Sequence, residues 1–247
     1  MKNHFFLVFL IPPAILAISE ASLFWPKFFF ISLIISIILI FLSARAMTRE
    51  KIFSANFLWL FFIPAFFLTS SAAYVLVLPG KIFIQLIFFA QLLFIFYFLK
   101  NLSGKISSVF LENVSYWGNF LSLLFWFSFL FGIKTFISLS VVYSTLGFLL
   151  AILLVVCETF WANKIARSET FIFIFLIPLI LIQLSWVLYF LPLNHNVLGI
   201  ILAISYYAII GITKPLLRSG LSKKMINFYL IGGLASIIML LATAKWI

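Results

Sequence analysis

The sequence contains few side chains that could carry out chemistry. Its 247 residues include two His, one Cys and five acidic residues, all of them Glu. The absence of Asp excludes the paired Asp of intramembrane aspartyl proteases and the Asp-rich motifs of prenyl and CDP-alcohol transferases. His4 and His195 lack the His-Glu-x-x-His spacing of zinc proteases, and no phosphate-binding loop or Gly-x-Ser-x-Gly nucleophile motif occurs. We therefore predict no catalytic residue set, no metal and no cofactor.

Glu20 is the acidic residue with the best case for a functional role. Its neighbours are mostly apolar, and ionisable groups inside a bilayer are costly and commonly functional. Glu20 could carry a coupling proton or bind a cation. The alternative is an interfacial carboxylate that reaches water or pairs with Lys27. The remaining acidic residues are expected to be solvated beside Lys and Arg at helix ends or in loops: Glu50, Glu112, Glu158 and Glu169.

Four amide side chains that fall within apolar segments are further candidates: Asn56, Gln85, Gln91 and Gln183. Amides at membrane depth usually form hydrogen bonds between helices, which contribute about 0.6–2 kcal/mol each. The alternative is a polar path for a substrate. A continuous polar cavity lined by all four would favour transport over a role in helix packing.

Three prolines interrupt apolar segments that otherwise predict helices, namely Pro12, Pro64 and Pro178. A proline inside a helix frees the carbonyl four residues earlier and bends the helix axis. Membrane helices tolerate this when a neighbour or a hydroxyl pairs with the freed backbone group. The kinks could serve as hinges or line a cavity, as in transporters with broken helices. The alternative is a role in helix packing and shape.

Small residues four positions apart let two helix backbones approach closely. Gly199 with Ala203 forms one such pair, and Gly232 with Ser236 forms another. Because Gly233 follows Gly232 directly, we predict that the last helix of the chain makes a tight contact with another helix or subunit.

The composition places all these residues in a membrane protein. Hydrophobic residues make up 66% of the chain and charged residues 9%, against roughly 45–50% and 25% in soluble domains. A spanning helix needs about 20 apolar residues. The apolar runs predict an all-α polytopic bundle with nine spans in one membrane domain over residues 1–247, without a soluble domain. The spans form hairpins near 5–44, 55–99, 116–157 and 170–213, followed by a terminal helix near 226–244.

The basic residues predict the orientation of these spans. Most of the 16 Lys and Arg fall on one side, and the exceptions are Lys27, Lys81, Lys134 and Lys245. Since Lys- and Arg-rich loops remain in the cytoplasm, the N-terminus is predicted inside and the C-terminus outside. The same rule accounts for the net charge of +11 without a nucleic-acid partner. An alternative for the first segment is a signal peptide that is cleaved near Ser19-Glu20-Ala21.

Recurring residues indicate that the hairpins are tandem repeats. Phe30-Ile31-Ser32-Leu33 is followed 53 residues later by Phe83-Ile84-Gln85-Leu86, and 53 residues later again by Phe136-Ile137-Ser138-Leu139. Each of the three prolines is followed seven residues later by a serine, and these serines are Ser19, Ser71 and Ser185. The shared spacing predicts a duplicated hairpin of about 53 residues.

These features favour a non-enzymatic multi-pass membrane protein. It would be a transporter of a small solute or lipid, or the membrane subunit of a larger complex whose other subunits contact the last helix. The alternative is a lipid-modifying enzyme that acts at the outer face through Glu20 or His195. The abundance of Phe, Ile, Lys and Asn suggests a bacterial plasma membrane as its location. The bilayer itself is the one partner that every alternative requires.

Overall fold

The computed structural model describes residues 5–48, 54–103, 107–137, 140–165, 170–218, 220 and 222–244. Within these residues the chain forms nine α-helices and one short 3-10 helix, Pro26–Phe28, and contains no β-strand. All nine α-helices are long and apolar enough to cross a membrane, which confirms the predicted fold class. Their bounds are α1 Phe5–Phe24, α2 Phe29–Thr48, α3 Ala55–Val75, α4 Lys81–Leu102, α5 Ser108–Phe136, α6 Val141–Ala162, α7 Thr170–Tyr189, α8 His195–Leu217 and α9 Lys223–Thr243.

Helical structure follows from the apolar sequence, because a backbone inside a bilayer must satisfy its hydrogen bonds within its own segment. Polar residues between the apolar runs then fix where helices begin. Ser54, Ser140, Asn194 and Ser222 each accept a hydrogen bond from a backbone N–H in the first turn of the following helix. Before α4, Gly80 takes a left-handed φ of 101°, which permits the sharp entry that follows Pro79.

The contacts divide the chain into two compact units, residues 1–122 and 123–247, and α5 contributes its first half to one and its second half to the other. In unit 1, α1 packs against α2 and α4, and α3 packs against α2 and α4. Aromatic rings form much of this core. Phe41 of α2 lies edge-on against Phe57 and Phe61 of α3, with ring centroids 5.4 and 5.2 Å apart. Phe9 of α1 meets Phe96 of α4 in the same way at 5.5 Å.

Unit 2 is a sequential arrangement in which α6 packs against α7, α7 against α8, and α8 against α9. The second half of α5 joins α6 through Phe148, whose ring lies 5.5 Å from Phe127 and 5.0 Å from Phe131. At the end of α5, the Lys134 ammonium donates a hydrogen bond of 2.7 Å to the carbonyl of Tyr189, the last residue of α7. A cation at a helix C-terminus is favourable because the carbonyls there carry partial negative charge.

Candidate functional sites

Glu20 lies in the last two turns of α1 and is half-buried. Lys27, its expected partner, is exposed in the 3-10 helix that follows. Glu50 and Glu169 lie outside the described residues. The roles of Glu20 as a proton carrier, a cation ligand or an interfacial charge therefore stay predictions.

Of the four amides that the sequence proposes as one polar path, the structure buries one. Asn56 is exposed in the first turn of α3, Gln85 is exposed on α4, and Gln183 is exposed on α7. Gln91 is the exception, since its side chain is only 2% exposed. Three of the four amides thus lie on outer helix surfaces, which is the arrangement expected if they meet other helices or lipid.

Gln91 joins α4 to α3 and lines a small cavity in unit 1. Its Nε2 donates a hydrogen bond of 2.7 Å to the Ser71 hydroxyl, which in turn donates to the Phe67 carbonyl at 2.6 Å. Because the Ser71 proton is committed to Phe67, the Ser71 oxygen is an acceptor and must face the amide nitrogen. This orientation turns the Gln91 Oε1 away from Ser71, and Oε1 has no hydrogen-bond partner among the described residues. A buried acceptor left in this state costs about 1–3 kcal/mol.

Glu158 is the main site that the sequence did not predict. The sequence analysis expected a solvated carboxylate at a helix end, but this prediction is wrong because the side chain is 0% exposed within α6. Apolar and small residues flank it along one buried stripe at helical spacing, comprising Ala151, Val155 and Ala162. That spacing was visible in the sequence. The basic residues in the next loop nevertheless favoured the interpretation of Glu158 as a solvated charge.

Polar side chains of α6 and α8 lie beside Glu158. Its neighbour Thr159 shares a hydrogen bond of 2.8 Å with the Tyr206 hydroxyl of α8, and both residues are buried. Glu158 interacts electrostatically with that same Tyr206. One turn further along α6, Arg218 Nη2 donates to the Asn163 carbonyl at 2.8 Å, so the C-terminal ends of α6 and α8 are tied together. A buried acidic side chain in a membrane span commonly marks a functional position.

The predicted kink residues Pro12, Pro64 and Pro178 each lie inside a helix, respectively α1, α3 and α7, and all three are buried. The helices continue through them. Burial is consistent with a packing role and equally with a hinge, so the assignment stays a prediction. The duplicated hairpin also stays a prediction.

The three predicted packing glycines differ in their surroundings. Gly199 of α8 is buried, and a Cβ placed there would lie 2.7 Å from the backbone N and 2.9 Å from the Cα of Ser128 in α5. A Cβ at Gly233 of α9 would lie 3.3 Å from the Cβ of Ala208 in α8, whereas a Cβ at Gly232 would meet nothing within 4 Å. Gly199 and Gly233 therefore permit close packing within unit 2, and Gly232 faces outward.

Among the described residues, no group of three His, Cys or acidic side chains is placed to hold a metal ion. His195 is half-buried as the first residue of α8. The chain matches no protein-family model, no curated protein and no solved structure.

Proposed function

We propose that this multi-pass membrane protein is the membrane subunit of a larger complex, and that α9 carries the contact with another membrane helix. The observation that supports this most directly is the outward face of α9. Within its most apolar window no residue is buried, although all the other spans bury part of theirs. The proposal accounts for the position of Gly232, a small residue at which an added Cβ would meet none of the described residues within 4 Å.

The two faces of α9 have different roles. Its inner face packs on α8, where the Tyr229 ring covers Gly211 and Gly233 lies against Ala208. Its outer face carries Gly232 and Ser236, both exposed, with the Ser236 hydroxyl donating to the Gly232 carbonyl at 2.8 Å. Small residues four apart on an exposed face allow a second helix to approach closely.

The exposed amides support the same proposal. Gln85 lies on an exposed face of α4 beside Ile82 and Leu86, and Gln183 is exposed on α7. Amides on outer surfaces at membrane depth gain hydrogen bonds when another helix covers them. A subunit surrounded by partners would use such positions, whereas lipid tails offer them no hydrogen bond.

The proposal is tested by the mass of the protein extracted from its native membrane in mild detergent. We expect a particle larger than the single 28.3 kDa chain. Gly232→Leu should reduce the particle to the single chain, because the added side chain keeps a partner helix away. Ala17→Leu adds similar bulk at an exposed position of α1 and should leave the mass unchanged. A wild-type protein that is extracted quantitatively as a single chain would contradict the proposal.

The buried Glu158 favours a second candidate, transport of a small solute or lipid. Intramembrane acidic residues often mark substrate or proton paths, and Glu158 is fully buried in a span. The mass measurement separates the candidates, since a transporter that works alone requires no additional subunit. The lipid-modifying enzyme has no such support from the described side chains.

We also propose that the N-terminus lies in the cytoplasm and the C-terminus outside, in a bacterial plasma membrane. The distribution of Lys and Arg between the two sides supports this orientation. A reporter fused after Lys224 should then be cytoplasmic, and one fused after Ile247 should be external. If both fusions report the same side, α9 does not cross the membrane, and if the two sides are exchanged, the orientation is wrong.

A further inference from the structure

The cavity beside Gln91 in unit 1 is lined by four serines of the first two helices. Ser19 and Ser22 come from α1, and Ser32 and Ser36 come from α2. About 20 Å³ is open to the centre of a water-sized ligand, which is room for one such ligand. Gln91, whose Oε1 has no partner among the described residues, contributes a fifth polar side chain to the lining.

Most of the polar atoms around this cavity can only accept hydrogen bonds. Ser22, Ser32 and Ser36 donate their hydroxyl protons to backbone carbonyls of their own helices, at 2.6, 2.7 and 2.8 Å. Each hydroxyl oxygen keeps lone pairs but has no further proton to donate. The Gln91 amide nitrogen is already used by Ser71. A ligand in this cavity therefore meets several oxygen acceptors.

We propose that this cavity binds one monovalent cation. Oxygen ligands suit hard cations, and divalent ions such as Ca²⁺ and Mg²⁺ are normally held by carboxylates. No carboxylate lines the cavity, because its polar members are the four serines and Gln91. A set of neutral oxygens in a space of this size fits Na⁺. Water fits the volume as well, since it can donate both of its protons to these acceptors, and the measurements below separate the two occupants.

The test measures binding of ²²Na⁺ to the purified full-length chain in detergent micelles, at constant ionic strength with choline chloride as the replacement salt. We expect one saturable site per chain. Ser36→Ala should weaken the affinity about tenfold, the effect of losing one ligand. Ser43→Ala is the matched control, since Ser43 is equally buried in α2 and donates to the Leu39 carbonyl, but does not line the cavity.

Thermal unfolding provides the second measurement. NaCl should raise the unfolding temperature of the wild type and of Ser43→Ala relative to choline chloride, and the increase should be smaller for Ser36→Ala. Gln91→Leu should remove it, and if that variant fails to fold, the two serine variants still decide the question. Absence of saturable ²²Na⁺ binding by the wild type, or equal effects of Ser36→Ala and Ser43→Ala, would overturn the proposal and leave water as the occupant. This outcome is independent of the α9 contact, which is tested by particle mass.

Discussion

The two halves of α5 pack against their neighbours in opposite ways. In unit 1, α5 contributes the small residue: Gly118 receives the tips of Ile63 from α3 and Phe94 from α4, and a Cβ there would lie 2.9 Å from each. In unit 2, α5 contributes the backbone, because Ser128 lies against Gly199 of α8. One helix thus takes part in a contact made by side chains and in a contact made by main chain.

This difference determines how each contact responds to added volume. Side-chain tips can change rotamer or shift by a few tenths of an ångström, whereas the backbone of a membrane helix is held by its own hydrogen bonds. The same substitution should therefore cost more at Gly199 than at Gly118. The comparison tests whether the two units are equally rigid along α5.

Gly199→Ala should give the largest effect. The new Cβ would collide with the backbone of Ser128, so α5 and α8 must separate. Overpacking of this kind costs about 1–3 kcal/mol and occasionally more, although Ala recovers up to about 1 kcal/mol of helix propensity. We expect a clear net loss in the free energy of unfolding, measured by SDS titration in mixed micelles.

Gly118→Ala is the matched variant on α5. Its collisions involve the γ2-methyl group of Ile63, which is held at the β-carbon, and the ring edge of Phe94, which can move, so the gain in helix propensity should offset part of the cost. A loss at Gly118 equal to or greater than that at Gly199 would show that side-chain and backbone neighbours are equally unyielding here.

The units also differ in the polar groups that they bury. The buried polar side chains around the cavity of unit 1, Ser22, Ser36 and Gln91, are neutral. Unit 2 buries the carboxyl group of Glu158 beside Thr159 and Tyr206. Neutral groups can be satisfied by helix carbonyls or one small ligand, whereas a carboxyl group requires partners of its own or a proton.

The sequence was sufficient to predict the fold class and the number of spans, because apolar length reports directly on the bilayer. It also singled out Gln91 and Gly199, which the structure buries. It could not predict that Gln85 and Gln183 lie on outer surfaces, since the hydrophobicity of a span is nearly uniform around its axis. Because all sides of a membrane helix are similarly apolar, tertiary contacts decide which side packs against protein.

Glu158 shows the same limit for a residue that was expected to be exposed and is buried. Its distance from the centre of α6 and the basic residues after it indicated a solvated charge. Its burial depends on neighbours outside α6, among them Tyr206 of α8, and no local pattern in α6 reveals that contact. The spacing of Ala151, Val155 and Ala162 marked the correct helix face but did not identify the neighbour.

The hydroxyl pair Thr159–Tyr206 should give a smaller effect than Gly199→Ala. Tyr206→Phe keeps the ring packed between the helices and removes one hydrogen bond, which contributes about 0.5–1.5 kcal/mol net. Tyr143→Phe removes a hydroxyl from a ring that is 68% exposed and should leave the free energy of unfolding unchanged. A double-mutant cycle with Thr159→Val isolates the pair from the other contacts of both residues. Because Thr159 and Tyr206 share a direct bond, we expect the two substitutions to be less than additive. Full additivity would mean that the bond between Thr159 and Tyr206 does not contribute to the stability of unit 2.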